Sequence, residues 1–281
     1  MPTILRLHLI PLRDVTLRPE SGPAHGWFLT LARRWDPAWA GALHGGNRRP
    51  PYSLSPLHRA APVPLSAEDR LGGDETRNGG GSTGLFLRRG EPVAMRLSFA
   101  DDERVRGLLA ALPGLPLPLL GSAPCRLARL PRPDQGDPDW LHAPWDVLIN
   151  APPATRLRVS FETPTAFSHR GESLLLPDPA HLLDSWRRAW GCAPSMPAGT
   201  EGITADGLRI AEYALHTEPL SLKGGLRIGF VGTLDLAWRP GTPPETRRAF
   251  AALAGLADFL GTGAKTALGM GQTRVLVSDD E

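Results

Sequence analysis

Eight histidines, two cysteines and one glycine-rich loop hold most of the chemical capacity of this 281-residue chain. Histidine suits proton transfer because its unperturbed pKa, about 6.5, lies near the working pH. Two of the eight occupy settings where such a role is readily built. His25 falls in the first turn of a helix, and His44 at that broken helix's C-terminal end, before Gly45-Gly46. His8 lies on the alternate face of a strand, His142 in a Pro/Asp-rich connection, and His58 and His169 in loops. His181 and His216 fall on regular elements far from the glycine loop in sequence. These six read as solvated or structural. Cys125 and Cys192 belong to no CxxC or Cys/His cluster, so two reduced thiols, no metal and no cofactor are expected.

The loop reads Gly261-Thr262-Gly263-Ala264-Lys265-Thr266-Ala267-Leu268-Gly269-Met270-Gly271, two G-x-G units around five residues. Glycines permit positive φ and close backbone approach, and successive exposed N–H groups can hold a phosphate. A nucleotide P-loop is excluded. That motif needs Gly directly before Lys and another five positions further back, where this chain has Ala264 and Phe259. The order helix–loop–strand also reverses the P-loop context. Of the 31 basic residues only Lys223 and Lys265 are lysine, and one of these two sits inside the loop. Lysine is a compact charge on a flexible stem, suited to a phosphate where a planar guanidinium does not fit. An esterase can be assembled on paper from His44-Gly45-Gly46 and Gly80-Gly81-Ser82-Thr83-Gly84. Its nucleophile elbow needs a strand before and a helix after; here a polar loop precedes and the strand-like Leu85-Phe86-Leu87 follows.

Something must position these groups. At roughly 150 residues per domain the length allows one large domain or two modest ones, with enough chain for a core that needs no staple. A net charge of +2 and a pI of about 8.8 exclude a histone-like tail and an acidic solvating chain. Arginine abundance accompanies a general Gly, Ala and Pro bias, so it does not by itself argue for nucleic acid. Arg6, His8 and Pro11 interrupt the N-terminal apolar stretch, so no signal peptide is expected there. The most apolar run, 108–120, contains Pro113, Pro116 and Pro118 and is shorter than the ~20 residues of a membrane span. A soluble cytoplasmic protein is expected.

Leu5, Leu7 and Leu9 alternate as one face of a strand. Ser21 and Pro23 open a helix carrying Trp27, Phe28, Leu31 and Trp35, interrupted at Pro37 and continued to Leu43. Residues 51–57 fit an edge strand and 66–84 a mobile loop, while 85–87 and 93–99 read as a hairpin. Asp101 starts a helix with Val105, Leu108, Leu109 and Leu112, and 125–130 supplies a last strand. The order βαββαβ is ferredoxin-like. It recurs in strand 157–161, helix 179–190, strands 208–217 and 227–238, helix 245–260 and strand 273–277. We therefore expect an α+β chain of two tandem ferredoxin-like domains, 1–140 and 155–281, with 141–154 as linker.

The loop, with Gly229-Phe230-Val231-Gly232 before it and Gln272 after it, resembles the C-terminal signature of the RAMP superfamily of CRISPR-associated proteins. Phe161-Glu162-Thr163-Pro164-Thr165-Ala166-Phe167, Leu176-Pro177-Asp178-Pro179, and Ser185-Trp186 with Trp190 are similar to the sixth Cas family, endoribonucleases that process precursor CRISPR RNA. So are Leu43-His44 and Ser53-Leu54-Ser55-Pro56-Leu57. Residues 66–154 carry little of the resemblance.

The resemblance implies RNA cleavage by the substrate's own 2′-hydroxyl without metal, leaving a cyclic phosphate and a 5′-hydroxyl. It points to His44 as catalytic. The chemistry adds His25 as second proton carrier, if Pro37 folds the helix back, and Arg48 or Arg49 as the cation at the phosphorane. Gly261, Gly263, Lys265, Gly269 and Gly271 become RNA-binding candidates. Arg227 to Leu234 keeps only scraps of an RNP pattern, so phosphate contacts and hairpin shape should outweigh base stacking. The implied partner is CRISPR repeat RNA, with a homodimer or an effector complex as further assemblies. A non-catalytic RAMP subunit that binds CRISPR RNA is the rival reading.

Overall fold

The computed structural model describes all residues except 19–21, 45–49, 61–83, 134, 202, 223–224 and 279–281. In chain order the first half comprises β1 (Thr3–Pro11), β2 (Val15–Leu17), α1 (Pro23–Trp35), α2 (Pro37–His44), β3 (Tyr52–Leu54), β4 (His58–Arg59), β5 (Leu85–Leu87), β6 (Val93–Phe99), α3 (Glu103–Ala111) and β7 (Cys125–Leu127). Then come β8 (Trp140–His142), α4 (Trp145–Ile149), β9 (Arg156–Thr165), β10 (Phe167–His169), β11 (Glu172–Leu174) and α5 (Pro179–Trp190). The chain closes with β12 (Leu208–Leu222), β13 (Gly225–Trp238), α6 (Pro244–Gly255), α7 (Ala257–Leu260) and β14 (Thr273–Ser278).

Two antiparallel sheets share one strand order. The first runs β3-β6-β1-β7 and the second β12-β13-β9-β14. Counting only the four main strands of each half, both orders are 2-3-1-4, and each half has helices after its first and third main strands. The chain is a doubled ferredoxin-like fold. No helix among the described residues is long and apolar enough to cross a membrane.

The pattern Leu5-x-Leu7-x-Leu9 aims three side chains at the first core, which also buries Phe28, Leu31, Tyr52, Met95, Leu97 and Leu108. The opposite face of β1 serves the second half, because Ile4 belongs to the second core with Trp186, Trp190, Phe230 and Phe250. Helix α5 starts at Asp178, whose carboxylate accepts from the Ala180 amide at 2.7 Å, followed by Pro179. Trp186 and Trp190 lie one helical turn apart on its buried side.

Two expectations change. Leu85–Leu87 does not fold back onto Val93–Phe99; it pairs with Val15–Leu17 while β6 pairs with β1. The turn at Arg88–Glu91 closes locally, but the Gly90 amide donates to Pro11 O at 2.9 Å, so β5 and β6 run in one direction along β2 and β1 as an interrupted ladder. The stretch expected as a linker carries β8 and α4. Trp140 is buried in the first core and Trp145 lies 5.5 Å from Trp190 in the second. Trp140 falls just before the expected linker, 141–154, and Trp145 within it, so the Pro and Asp content of that stretch hid one apolar anchor.

Candidate functional site

The glycine loop is tied at both ends by backbone that leaves no room for a side chain. Gly261 ends α7 with φ 73°, and the Thr262 amide donates to Gly271 O at 2.8 Å. A Cβ on Gly261 would lie 2.4 Å from Gly271 O, and one on Gly271 only 2.0 Å from Thr262 O. These approaches require glycine. Three stretches distant in sequence meet here. The Gly263 amide donates to Ser185 Oγ at 2.7 Å, Ala264 to Ala166 O at 2.9 Å, and Gly271 to Pro164 O at 3.1 Å. Gln272 N–H donates to Thr163 Oγ1, and Trp186 Nε1 to Thr262 Oγ1, both at 2.9 Å. The Thr-Pro-Thr segment, the Ser-Trp pair and the loop are thus one hydrogen-bonded unit. With the Gly261 amide bonded to Ala257 O, the N–H groups of Gly261, Gly263 and Gly271 all donate inside the protein.

Lys265 is the loop's cation. It is exposed, adopts a left-handed backbone at φ 60°, and has no ion pair among the described residues. A 3₁₀ turn over Thr266–Leu268 follows and packs on β3. Ala267 enters the first core, and a Cβ on Gly269 would come within 3.2 Å of Pro56 Cγ. The loop is therefore made by the second half and seated on the first.

On β3, Tyr52 packs 5.4 Å from Phe28 and 6.1 Å from Phe99, and its hydroxyl lies 3.3 Å from His25 Nε2. Burial pushes the Tyr52 pKa up to about 12, so the phenol stays protonated across the neutral range. His25 is half-buried in the first turn of α1. Asp36 separates α1 from α2 and caps the second helix, accepting from the Ala38 and Trp39 amides at 3.0 Å. Trp39 returns against Trp35 and Phe28, at 5.3 and 6.0 Å. The helix is folded back at Pro37, and His44 ends its return arm. The His44 side chain, and Arg48 and Arg49 entirely, lie outside the described residues, as does Lys223.

The halves meet through polar groups beside this seam. Ser53 Oγ donates to Phe259 O at 2.7 Å, and the Arg96 guanidinium donates to Asp258 O. Arg96 also lies 3.5 Å from Glu162, which pairs with Arg274 at 2.5 Å. Burial pushes the Asp258 carboxyl up to about 6, against the opposing pull of the Val275 amide and the Arg96 charge. Burial likewise lowers the Arg96 pKa.

Tyr52, Thr163 and Ser185 did not stand out as site residues from chemistry. Thr163 and Ser185 fall inside the Phe161–Phe167 and Ser185-Trp186 motifs; Tyr52 falls immediately before Ser53–Leu57, and nothing in the sequence couples it to His25.

The model of the CRISPR-associated endoribonuclease Cas6 family matches residues 159–273. A CRISPR-associated endoribonuclease Cas6 of Mycobacterium tuberculosis is 30% identical over 133 residues, 46% of this chain; the match spans only 41% of that protein. Among solved structures, a Cas6 product complex is 29% identical, with a TM-score of 0.74 over 98% of this chain and 100% of the other. A Thermus thermophilus Cas6 is 25% identical, with a TM-score of 0.67 over 98% of each chain. The chain is thus similar to Cas6 proteins in sequence over much of its second half and in fold over nearly its whole length.

Proposed function

We propose that this chain is an endoribonuclease that cuts precursor CRISPR RNA within its repeats, without a metal. The substrate 2′-hydroxyl loses its proton to a base and attacks the adjacent phosphorus. The 5′-oxygen then leaves with a proton from an acid, giving a cyclic phosphate and a 5′-hydroxyl. Two proton carriers and a cation suffice for this reaction. His44 and His25 are the proposed carriers, Arg48 or Arg49 the proposed cation at the phosphorane, and Lys265 the backbone contact. Gly269 keeps its place as a loop contact, while Gly261, Gly263 and Gly271 act by shaping the loop.

One observation carries the reading: β3 supports both sides of the site. Its Tyr52 reaches His25, and the turn that follows Lys265 packs against it. The proposed second proton carrier and the proposed phosphate contact thus share one short strand as support. The relatives' names supply the substrate class. Incubating the pure protein with cognate repeat RNA in excess EDTA tests the proposal. A cyclic phosphate end, and no cleavage when the scissile nucleotide is 2′-deoxy, is the expected result. Tight binding of uncut RNA would instead favour a non-catalytic RAMP subunit.

A further inference from the structure

Among the described residues, only Arg170 and Lys265 adopt positive φ without being glycine, at 49° and 60°. Every other positive-φ position described is glycine, for which this conformation is free of the Cβ penalty. Both exceptions are cations, both are exposed, and neither has an ion pair or side-chain hydrogen bond among the described residues. Two strained positions thus present long, unpaired positive side chains to solvent.

They also belong to neighbouring segments. Arg170 and Gly171 form the two-residue turn joining β10 to β11, with His169 paired to Glu172. Such a turn asks for positive φ at both positions and favours Asn-Gly or Gly-Gly, so arginine is an unusual occupant. The root of this hairpin is Ala166, whose carbonyl accepts from Ala264, the residue before Lys265. Arg170 is four positions from Ala166, a reach of at most about 14 Å. The hairpin is held in place. Phe167 is buried in the second core and stacks 5.7 Å from His181, and His169 meets the same ring at 6.1 Å. The nearby acids face histidines: Glu172 lies across from His169, and Asp178 sits 3.9 Å from His181.

We propose that Arg170 is a second RNA-backbone contact, gripping a phosphate of the strand whose neighbouring phosphates pass Lys265. Anchored cations on adjacent supports fix the register of a polyanion without reading its bases. The inference rests on the reading of the chain as an RNA-binding protein and extends it to a residue outside the loop motif.

Arg170→Gly separates the charge from the fold, because glycine suits the turn better than arginine. The full chain and its Arg170→Gly, Lys265→Gly and doubly substituted forms are titrated with labelled cognate repeat RNA at several salt concentrations, with Tm measured in parallel. Arg170→Gly should keep or raise Tm, weaken binding, and lower the log–log salt slope by about one; the double variant should lower it by about two. Unchanged affinity and slope, with wild-type binding intact, would overturn the role of Arg170 alone. Weaker binding with a lowered Tm and an unchanged slope would overturn it as well, marking Arg170 as structural. No binding of repeat RNA by the wild-type chain would overturn the underlying reading and this proposal together.

Discussion

The Tyr52 hydroxyl lies 3.3 Å from His25 Nε2 although 27 positions separate the two residues. Burial holds the phenol protonated, so in the tautomer that leaves Nε2 bare its O–H donates to His25, a bond that the imidazolium would lose. Tyr52→Phe removes that donor, and the His25 pKa should rise. If His25 acts as base, the acidic limb of the single-turnover pH–rate profile moves to higher pH. An unmoved limb, beside an altered His25 titration in NMR, would assign the base elsewhere.

His44→Ala should slow cleavage by roughly 10²–10⁴-fold, the usual worth of a general acid or base, with repeat RNA binding nearly intact. Single-turnover rates at saturating protein measure the first effect and fluorescence anisotropy the second. An unchanged rate would show that another group moves the proton.

Lys265→Ala should weaken RNA binding and lower the salt slope by about one. Equal affinity at every salt concentration would make the loop lysine structural.

Gly271→Ala places a Cβ against the Thr262 carbonyl, 2.0 Å away, at φ 68°. The left-handed backbone costs about 1–2 kcal/mol and the overlap a further 1–3 kcal/mol. Urea denaturation should report a loss of that order. RNA affinity should fall with it, since the same tie positions Lys265. A stable variant would mean that the loop can open without cost.

Asp258 carries a pH signature between the two halves. Its folded-state pKa is raised from 3.8 to about 6, so the folded state favours the neutral acid. The resulting stabilisation is complete below the unfolded value and is lost as pH rises through about 6. Asp258→Asn keeps an oxygen for the Val275 amide and removes the charge, so its Tm should vary less between about pH 4 and 7 than that of the wild type. Parallel Tm curves for the two proteins would locate the titration elsewhere.

Much of the architecture was legible because burial imposes period. The alternation at Leu5, Leu7 and Leu9 and the one-turn spacing of Trp186 and Trp190 each match the face that the cores bury. The register of Leu85–Leu87 was not legible. A tight turn after it looked like a reversal, and only the bond from Gly90 to Pro11 shows the chain continuing straight on. The site divides in the same way. The glycine spacing marks a loop that needs bare backbone, as the contact between Gly271 and Thr262 explains. The coupling of Tyr52 to His25 depends on packing β3 against β6 beneath α1, and no local pattern encodes it. Arg170 was invisible for a further reason: an arginine in sequence carries no sign of its φ.

Seating Ala267 in the core of the opposite half ties the loop of the second repeat to the packing of the first. Severed from its neighbour, the C-terminal half would keep the strand order of its sheet but present Ala267 and the Ser53-bonded Phe259 carbonyl to water. The loop would then lack the floor that sets its height. A gene fission between the repeats would therefore leave the loop unseated until the two products reassociated, and a substitution on β3 is inherited by a loop more than two hundred positions downstream.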